Sequence, residues 1–379
     1  MDVKNAAGWR IELWLALVFP SLFVTQKFLG WGGAAGYAIL AAVAVMRWRR
    51  DAVDLPSSNR TTLWMALATF VLVTTAFLIV YPTVNSHVPG AGSDDDDAYN
   101  VGARALLAGH SPYLERTYLG NVLHQLPGAF VLALPFVLLG TSALQNLFWL
   151  PMFFFAVKTE TGDRRLALRF AWLVLAFSPT VMHQVVTGTG HAANTIYVLL
   201  GLWWLMRTKH RDMAAVAWGV ALASRANFLL LVPVAFGWLR QQHGWSAALR
   251  AMSLTVVTVA GLTLPFYLHD PVNFGPLEAA DRLLRFNRLF PYAGETILLL
   301  TAALAIGLSC LPQTAKTVFQ NCAFVQAVPV VAGTLLGSLQ NSQPDLAYAA
   351  YGTFFAWFTL MAIHQRGYVS IRSQTVPFG

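Results

Sequence analysis

The sequence predicts an all-α polytopic membrane protein, folded as a single integral membrane domain over residues 1–379. Three observations carry this. A soluble chain holds roughly a quarter charged residues; this one holds 11%, against 56% hydrophobic, with a mean hydropathy of +0.55. Its apolar residues fall in long runs, and a membrane crossing takes about 20 such residues. Many of its 13 tryptophans stand near the ends of those runs, as interfacial anchors do.

The candidate spans are 12–29, 31–46, 62–82, 126–157, 166–186, 193–207, 213–239, 251–268, 295–312, 317–338 and 346–363. Allowing for broken runs, this gives a bundle of roughly 11–13 transmembrane helices. Residues 11–29 form a first spanning helix without the small-residue cleavage site of a signal peptide. The 126–157 run is too long for one straight helix and contains Pro135 and Gly140, so it crosses once with a kink or dips into the membrane. The 213–239 run has Arg225 at its centre and Arg211 and Arg240 near its ends, so it is two short helices meeting at Ser224-Arg225-Ala226-Asn227. The two cysteines, Cys310 and Cys322, support neither a disulfide framework nor a zinc site.

Two connections are longer than a simple turn. Residues 83–125 carry Asp94, Asp95, Asp96 and Asp97, followed by a short helical pattern, 98–108. Ser93 and the first aspartates suit its N-cap, Gly109 its stop, and Ser111-Pro112 forbids continuation. Residues 269–294 hold a second pattern, Leu277 to Phe290, with Arg282, Arg285 and Arg288 at every third position, as in a helix lying on the membrane surface. With both termini in the cytoplasm, the inner loops receive 18 Lys/Arg and 7 Asp/Glu, and the outer loops 7 and 10, out of totals of 25 and 17. The positive-inside rule therefore puts both long loops, 187–194 and the segment before 346 outside the plasma membrane of what reads as a bacterial protein. The net charge of +8 is explained by loops facing an anionic leaflet and needs no nucleic acid.

Chemistry concentrates on that outer face. A carboxylate at a membrane surface can take the proton of an attacking sugar hydroxyl, and paired carboxylates can hold a divalent cation. Asp94 and Asp96 are the candidates for a metal; equally, four aspartates can form a solvated acidic turn that caps a helix. Arg225 lies inside an apolar run, where a charge is a functional hypothesis by default. Its guanidinium suits a lipid phosphate, although it can also pair with a buried aspartate. His191 and Asn194 face the same side, and Arg285, with Arg282 and Arg288, can guide a lipid phosphate or bind anionic headgroups. His124-Gln125 ends the aspartate loop and could close over a site.

Several of these residues resemble a known pattern. Asp95-x-x-x-Tyr99, then Gly109 and Ser111-Pro112-Tyr113, is similar to the first outer loop of the GT-C superfamily of membrane glycosyltransferases, closest to its polyprenyl-phosphate-mannose-dependent branch. Leu126-Pro127-Gly128 is similar to that branch's Y-P-P run, with Leu126 and Gly128 replacing a tyrosine and a proline. Gly190-His191-Ala192-Ala193-Asn194 is similar to its G-Q-x-N, with one extra residue, and Ala221-Leu222-Ala223-Ser224-Arg225 to its L-A-x-x-K/R segment. The matches cover residues 90–240; the last third agrees only in hydropathy.

The resemblance implies a GT-C-like bundle with short amphipathic helices in the first long outer loop. It implies an inverting transfer of a sugar, mannose first, from a polyprenyl-phosphate donor to a lipid, glycan or protein acceptor. Asp95 is then the base, with Asp96 the alternative. Arg225, His191, Asn194 and Arg285 meet the donor phosphate, and Tyr99, Asp97, Tyr113 and His124 meet the acceptor or sugar. No cofactor is required, and a divalent cation is admitted. The competing expectation is a lipid or sugar transporter or flippase, which would want paired broken helices and charges near mid-membrane.

Overall fold

The computed structural model describes residues 3–48, 58–88 and 93–365. Met1 and Asp2, Arg49 and Arg50 of the expected inner loop, and the basic tail after Gln365 lie outside the described residues. Regular structure among the described residues is helical: α1 (Val3–Arg47), α2 (Asn59–Val84), α3 (Asp95–Leu107), α4 (Pro127–Leu138), α5 (Leu144–Thr161), α6 (Arg164–Phe177), α7 (Pro179–Thr187), α8 (His191–Arg207), α9 (Arg211–Leu222), α10 (Val232–His269), α11 (Glu278–Leu284), α12 (Ala293–Cys310), α13 (Ala315–Gln340) and α14 (Thr353–His364). Short 3₁₀ turns punctuate them, one over Ala226–Leu231 and one over Ala347–Gly352.

Two of the longest helices are hairpins. In α1 the indole N–H of Trp14 donates to Ala38 O at 3.0 Å. Twenty-four residues of unbroken helix would hold them about 36 Å apart. The chain folds back at Gly30, whose φ of 68° only glycine adopts without strain. The apolar runs on either side of Gly30 are thus separate limbs. In α10, Gly244 has the same backbone character, φ 82°, and the rings of Phe236 and Trp245 come within 5.7 Å across the turn.

Five described helices are long and apolar enough to cross a membrane, or six if the bent pair α6–α7 is one span. That count takes the hairpins α1 and α10 once each, and several other apolar runs break into pieces shorter than a straight crossing. The 126–157 run becomes α4 and α5, separated at Gly140. The 166–186 run, expected as one span, bends by 83° between α6 and α7, where Pro179 cannot donate into the preceding turn. The 213–239 run divides as expected, α9 ending at Leu222 and the next turn starting at Ala226.

Position in the bundle follows polarity. α14 is apolar on every side and almost wholly buried against α1, α8 and α13, as an all-round apolar helix at a bundle centre should be. Its own Trp357 and Phe358 pack with Phe153, Phe170 and Phe319 of the neighbouring helices, each under 2% exposed. α2 is the opposite case: Val71, Leu72, Leu78 and Ile79 face outward at 60–70% exposure, a surface that suits lipid and not water. The chain is a multi-pass membrane protein.

α8 and α9 run antiparallel and fix two ends of the bundle. One end holds the start of α8 and the turn after α9; the other holds the 208–210 connection between them. The four aspartates belong to the first end. Of the surface helix expected over 277–290, a 3₁₀ turn, α11 and another 3₁₀ turn over Arg285–Arg288 form, so it is helical but irregular.

Candidate functional site

α3 starts one turn earlier than the 98–108 pattern suggests. Asp94 is its N-cap residue, and Asp95, Asp96 and Asp97 fill the first turn, where the helix dipole and free N–H groups favour carboxylates. Helical spacing then sends the four side chains in different directions, and each finds its own partners.

Asp94 Oδ2 accepts from Thr117 Oγ1 at 2.6 Å and Asn121 Nδ2 at 2.7 Å. Asp97 Oδ2 accepts from the Tyr118 backbone N–H at 2.7 Å. These two tie the 117–121 turn onto α3. Asp96 points into the bundle, 1% exposed, and accepts from Tyr81 Oη at 2.7 Å. Burial and its acidic neighbours raise the Asp96 carboxyl to about 6, against the pull of the Tyr81 hydrogen bond. Asp94 and Asp96 therefore serve different partners. Among the described residues no three His, Cys, Asp or Glu side chains gather as a metal site would require.

Asp95 meets residues from three distant segments. Its Oδ1 lies 3.0 Å from Arg225 Nη2, accepts from Gln125 Nε2 at 3.2 Å and stands 3.9 Å from His191 Nε2. Its Oδ2 accepts from the Gly190 N–H at 2.7 Å. Burial alone would push this carboxyl up; the neighbouring His191 and Arg225 and the Gly190 N–H outweigh that and hold it below the usual range. Asp95 is ionised at neutral pH.

Tyr99 lies one turn on from Asp95 and shares its face. Asn194 is oriented so that Oδ1 accepts from Arg225 Nε at 2.7 Å and Tyr99 Oη at 2.6 Å, while Nδ2 donates to Gly190 O at 3.0 Å and Tyr197 Oη at 2.8 Å. Arg225 Nη2 also donates to Tyr99 Oη at 3.2 Å. The guanidinium is thereby held on two edges, which a lysine could not reproduce. Asp95, Arg225 and His191 keep about 15% of their side-chain surface exposed, enough to meet a ligand.

Two glycines permit this convergence. A Cβ on Gly190 would stand 2.7 Å from the Tyr99 ring, so only glycine lets the start of α8 come close enough to donate to Asp95. A Cβ on Gly128 would lie 2.2 Å from Val220 O and 2.6 Å from Ala223 O. The start of α4 packs directly on the end of α9 there: Gly128 N–H donates to Ala223 O at 2.7 Å and Leu126 N–H to Ser224 O at 2.9 Å. That clamp aims Arg225 and Gln125 at Asp95. Asn227 then fixes the far side of the turn to α13 through paired bonds with Gln326, 2.6 and 2.9 Å.

The site has an aromatic wall that sequence reasoning missed. Tyr351 and Phe354 stack with ring centroids 5.8 Å apart, and His191 lies 5.1 Å from the first and 5.4 Å from the second. Arg225 sits 5.7 Å from the Phe354 ring. Arg282 hydrogen-bonds the Tyr351 hydroxyl. No local signal marks Tyr351, since aromatics are frequent throughout the chain.

Other expected residues lie elsewhere. Arg285 stacks on Phe286 and Tyr348 at 4.9 and 5.0 Å, so among the loop arginines it is Arg282 that adjoins the cluster. Tyr113 is 2% exposed, donates to Gln125 O at 3.0 Å and packs on Phe130, Phe266 and Phe274, which places it in the core between the loop, α4 and α10. His124 sits within 3.3 Å of Gly275 O and joins the two long connections. Cys310 and Cys322 are both unpaired.

Chemically, the cluster offers an ionised carboxylate, a guanidinium and an imidazole at the mouth of an apolar bundle, beside an aromatic wall. No known protein family matches this chain, and no curated protein or solved structure matches it.

Proposed function

We propose that this protein is an inverting glycosyltransferase of the GT-C kind, moving a sugar, mannose first, from a polyprenyl phosphate to an acceptor hydroxyl outside the plasma membrane. The observation that carries the reading is the meeting of Asp95, Arg225, His191 and Asn194 around Tyr99. These residues stem from segments whose resemblance to the family was drawn separately.

The geometry supports a division of roles. Asp95 is ionised and partly exposed, so it can accept a proton; Asp96 is sealed under Tyr81 and is not in reach of an acceptor. Arg225 is the donor-phosphate ligand. In the resting site it neutralises Asp95, and a phosphate that draws the guanidinium away leaves a freer, more basic carboxylate. The acceptor hydroxyl then attacks the anomeric carbon as its proton passes to Asp95, the bond to the phosphate oxygen breaks, and the negative charge that develops there rests on Arg225. The aromatic wall of Tyr351 and Phe354 suits the apolar face of a sugar ring. A divalent cation is not needed for a monophosphate leaving group.

A second reading, a lipid or sugar transporter, is favoured by the 83° bend between α6 and α7 and the glycine breaks in α1 and α10. The test is transfer of label from a polyprenyl-phosphate mannose to membrane acceptors by the chain in sealed proteoliposomes, with and without chelator. Labelled product is expected in both. Label that crosses the bilayer without a new glycosidic bond would favour transport and sink the enzyme reading.

A further inference from the structure

At the opposite end of α8 and α9, about 25 Å away by helix length, the bundle has a second polar feature that the transfer reaction does not use. A cavity of about 660 Å³ opens between the 208–210 connection, the start of α9 and the Gly244 break of α10. Lys209, His210, Arg211, Asp212, His243 and Arg250 line it.

Its charges are not balanced. Asp212 is the one acid in the lining, and it is already paired with Arg250 at the exposed rim. Lys209 and Arg211 have no carboxylate in ion-pair contact among the described residues, and Arg211 Nε is buried without a hydrogen-bond partner. These cations also stand at the positive end of the α9 dipole, where a cation is unfavourable and an anion is favoured. No side chain caps that helix start. Cations line this space beside an orphaned guanidinium N–H and a helix start whose one first-turn carboxylate, Asp212, is already paired with Arg250; a phosphate group answers all three.

The rim indicates where that phosphate comes from. Met213 lines the opening, Trp245 and Leu249 stand next in sequence to the lining residues Ser246 and Arg250, and all three are 53–60% exposed, with Arg240 over the Trp245 ring at 5.2 Å. An exposed Trp beside basic residues at a helix end marks the boundary of headgroup and acyl chain. We infer that this cavity binds the phosphate headgroup of an anionic phospholipid, with Lys209 and Arg211 as its ligands and Trp245 against the upper acyl chain. The inference is independent of the proposed transfer reaction.

The test is lipid retention by the full chain, read by native mass spectrometry after titration with phosphatidylglycerol or phosphatidylcholine. The parent is expected to keep one phosphatidylglycerol in preference to phosphatidylcholine. K209Q/R211Q should bind it about 30-fold more weakly, near 1 kcal/mol for each cation lost. K209R, which keeps both charges and the Arg211 guanidinium, and the exposed-site control Arg164→Gln should bind as the parent does, which separates a lost ligand from a misfolded chain. Equal retention by K209Q/R211Q, or equal retention of phosphatidylcholine, would overturn the assignment. So would inorganic phosphate binding as tightly as the lipid, which would give the site to a soluble phosphate.

Discussion

Two arginine–aspartate pairs among the described residues stand at opposite ends of one helical hairpin. Asp212 and Arg250 meet in the open, 50% and 72% exposed, with water free to solvate both. Asp95 and Arg225 meet inside the protein at about 15% exposure, and each is also gripped by neutral groups: Gly190 N–H and Gln125 on the acid, Asn194 and Tyr99 on the base. The same two side chains are a screened surface contact in one place and a preorganised polar site in the other. What differs is the surrounding structure. At the Asp95 end, glycines let three backbones come close; at the Arg250 end, the pair stays open to water.

The contrast can be broken in order of expected effect. Arg225→Gln leaves Asp95 half-buried and unpaired, which should cost about 3–5 kcal/mol of stability and abolish donor binding; thermal unfolding and donor titration in nanodiscs check it. An unchanged donor affinity would remove Arg225 from the phosphate role.

Asp96 gives the next largest effect and a pH signature. Its folded pKa is about 6, above its ordinary 3.8. The folded state therefore binds its proton more tightly, and this contribution is complete below 3.8 and lost as pH rises through 6. Two pK units amount to about 3 kcal/mol. Asp95 has the opposite sign: its depressed pKa stabilises above the ordinary value, and that stability is lost only as pH falls below it. Asp96→Asn should thus flatten stability between pH 4 and 6 while leaving the drop in stronger acid. An unaltered slope in that window would show that another group controls it.

Gly128→Ala forces a methyl into the carbonyls of Val220 and Ala223. It should cost about 1–3 kcal/mol and slow transfer by displacing Arg225, although residue 128 touches no substrate. Unaltered unfolding and activity would mean that the α4–α9 contact does not aim the site. Arg250→Gln should change stability by less than about 0.5 kcal/mol, as for an exposed pair; a loss comparable to that of Arg225→Gln would erase the distinction between the two ends.

Much of the Asp95 end is legible in the sequence, for identifiable reasons. Asp95-x-x-x-Tyr99 stands out as a family-like spacing, although the helical pattern in the sequence begins only at 98 and the shared face depends on α3 starting a turn earlier. Arg225 interrupts an apolar run that could not continue straight through it. What brings them together is not legible. Gly128 looks like a lapse from a proline pattern, yet a Cβ there would collide with α9. Tyr351 and Phe354 form the wall of the site but are two aromatics among many. Hydropathy separates 12–29 from 31–46, as the turn at Gly30 does, but it cannot tell that Pro179 turns the 166–186 run through 83°.

The central claim is that Asp95, alone of the four aspartates, takes the acceptor proton. The direct measurement is label transfer from polyprenyl-phosphate mannose by Asp95→Asn and Asp94→Asn chains in nanodiscs, beside a donor-binding titration of each. Asp95→Asn is expected to bind donor and to lose transfer by at least about 10²-fold, the usual worth of a general base, while Asp94→Asn retains most of it. Full transfer by Asp95→Asn would contradict the account.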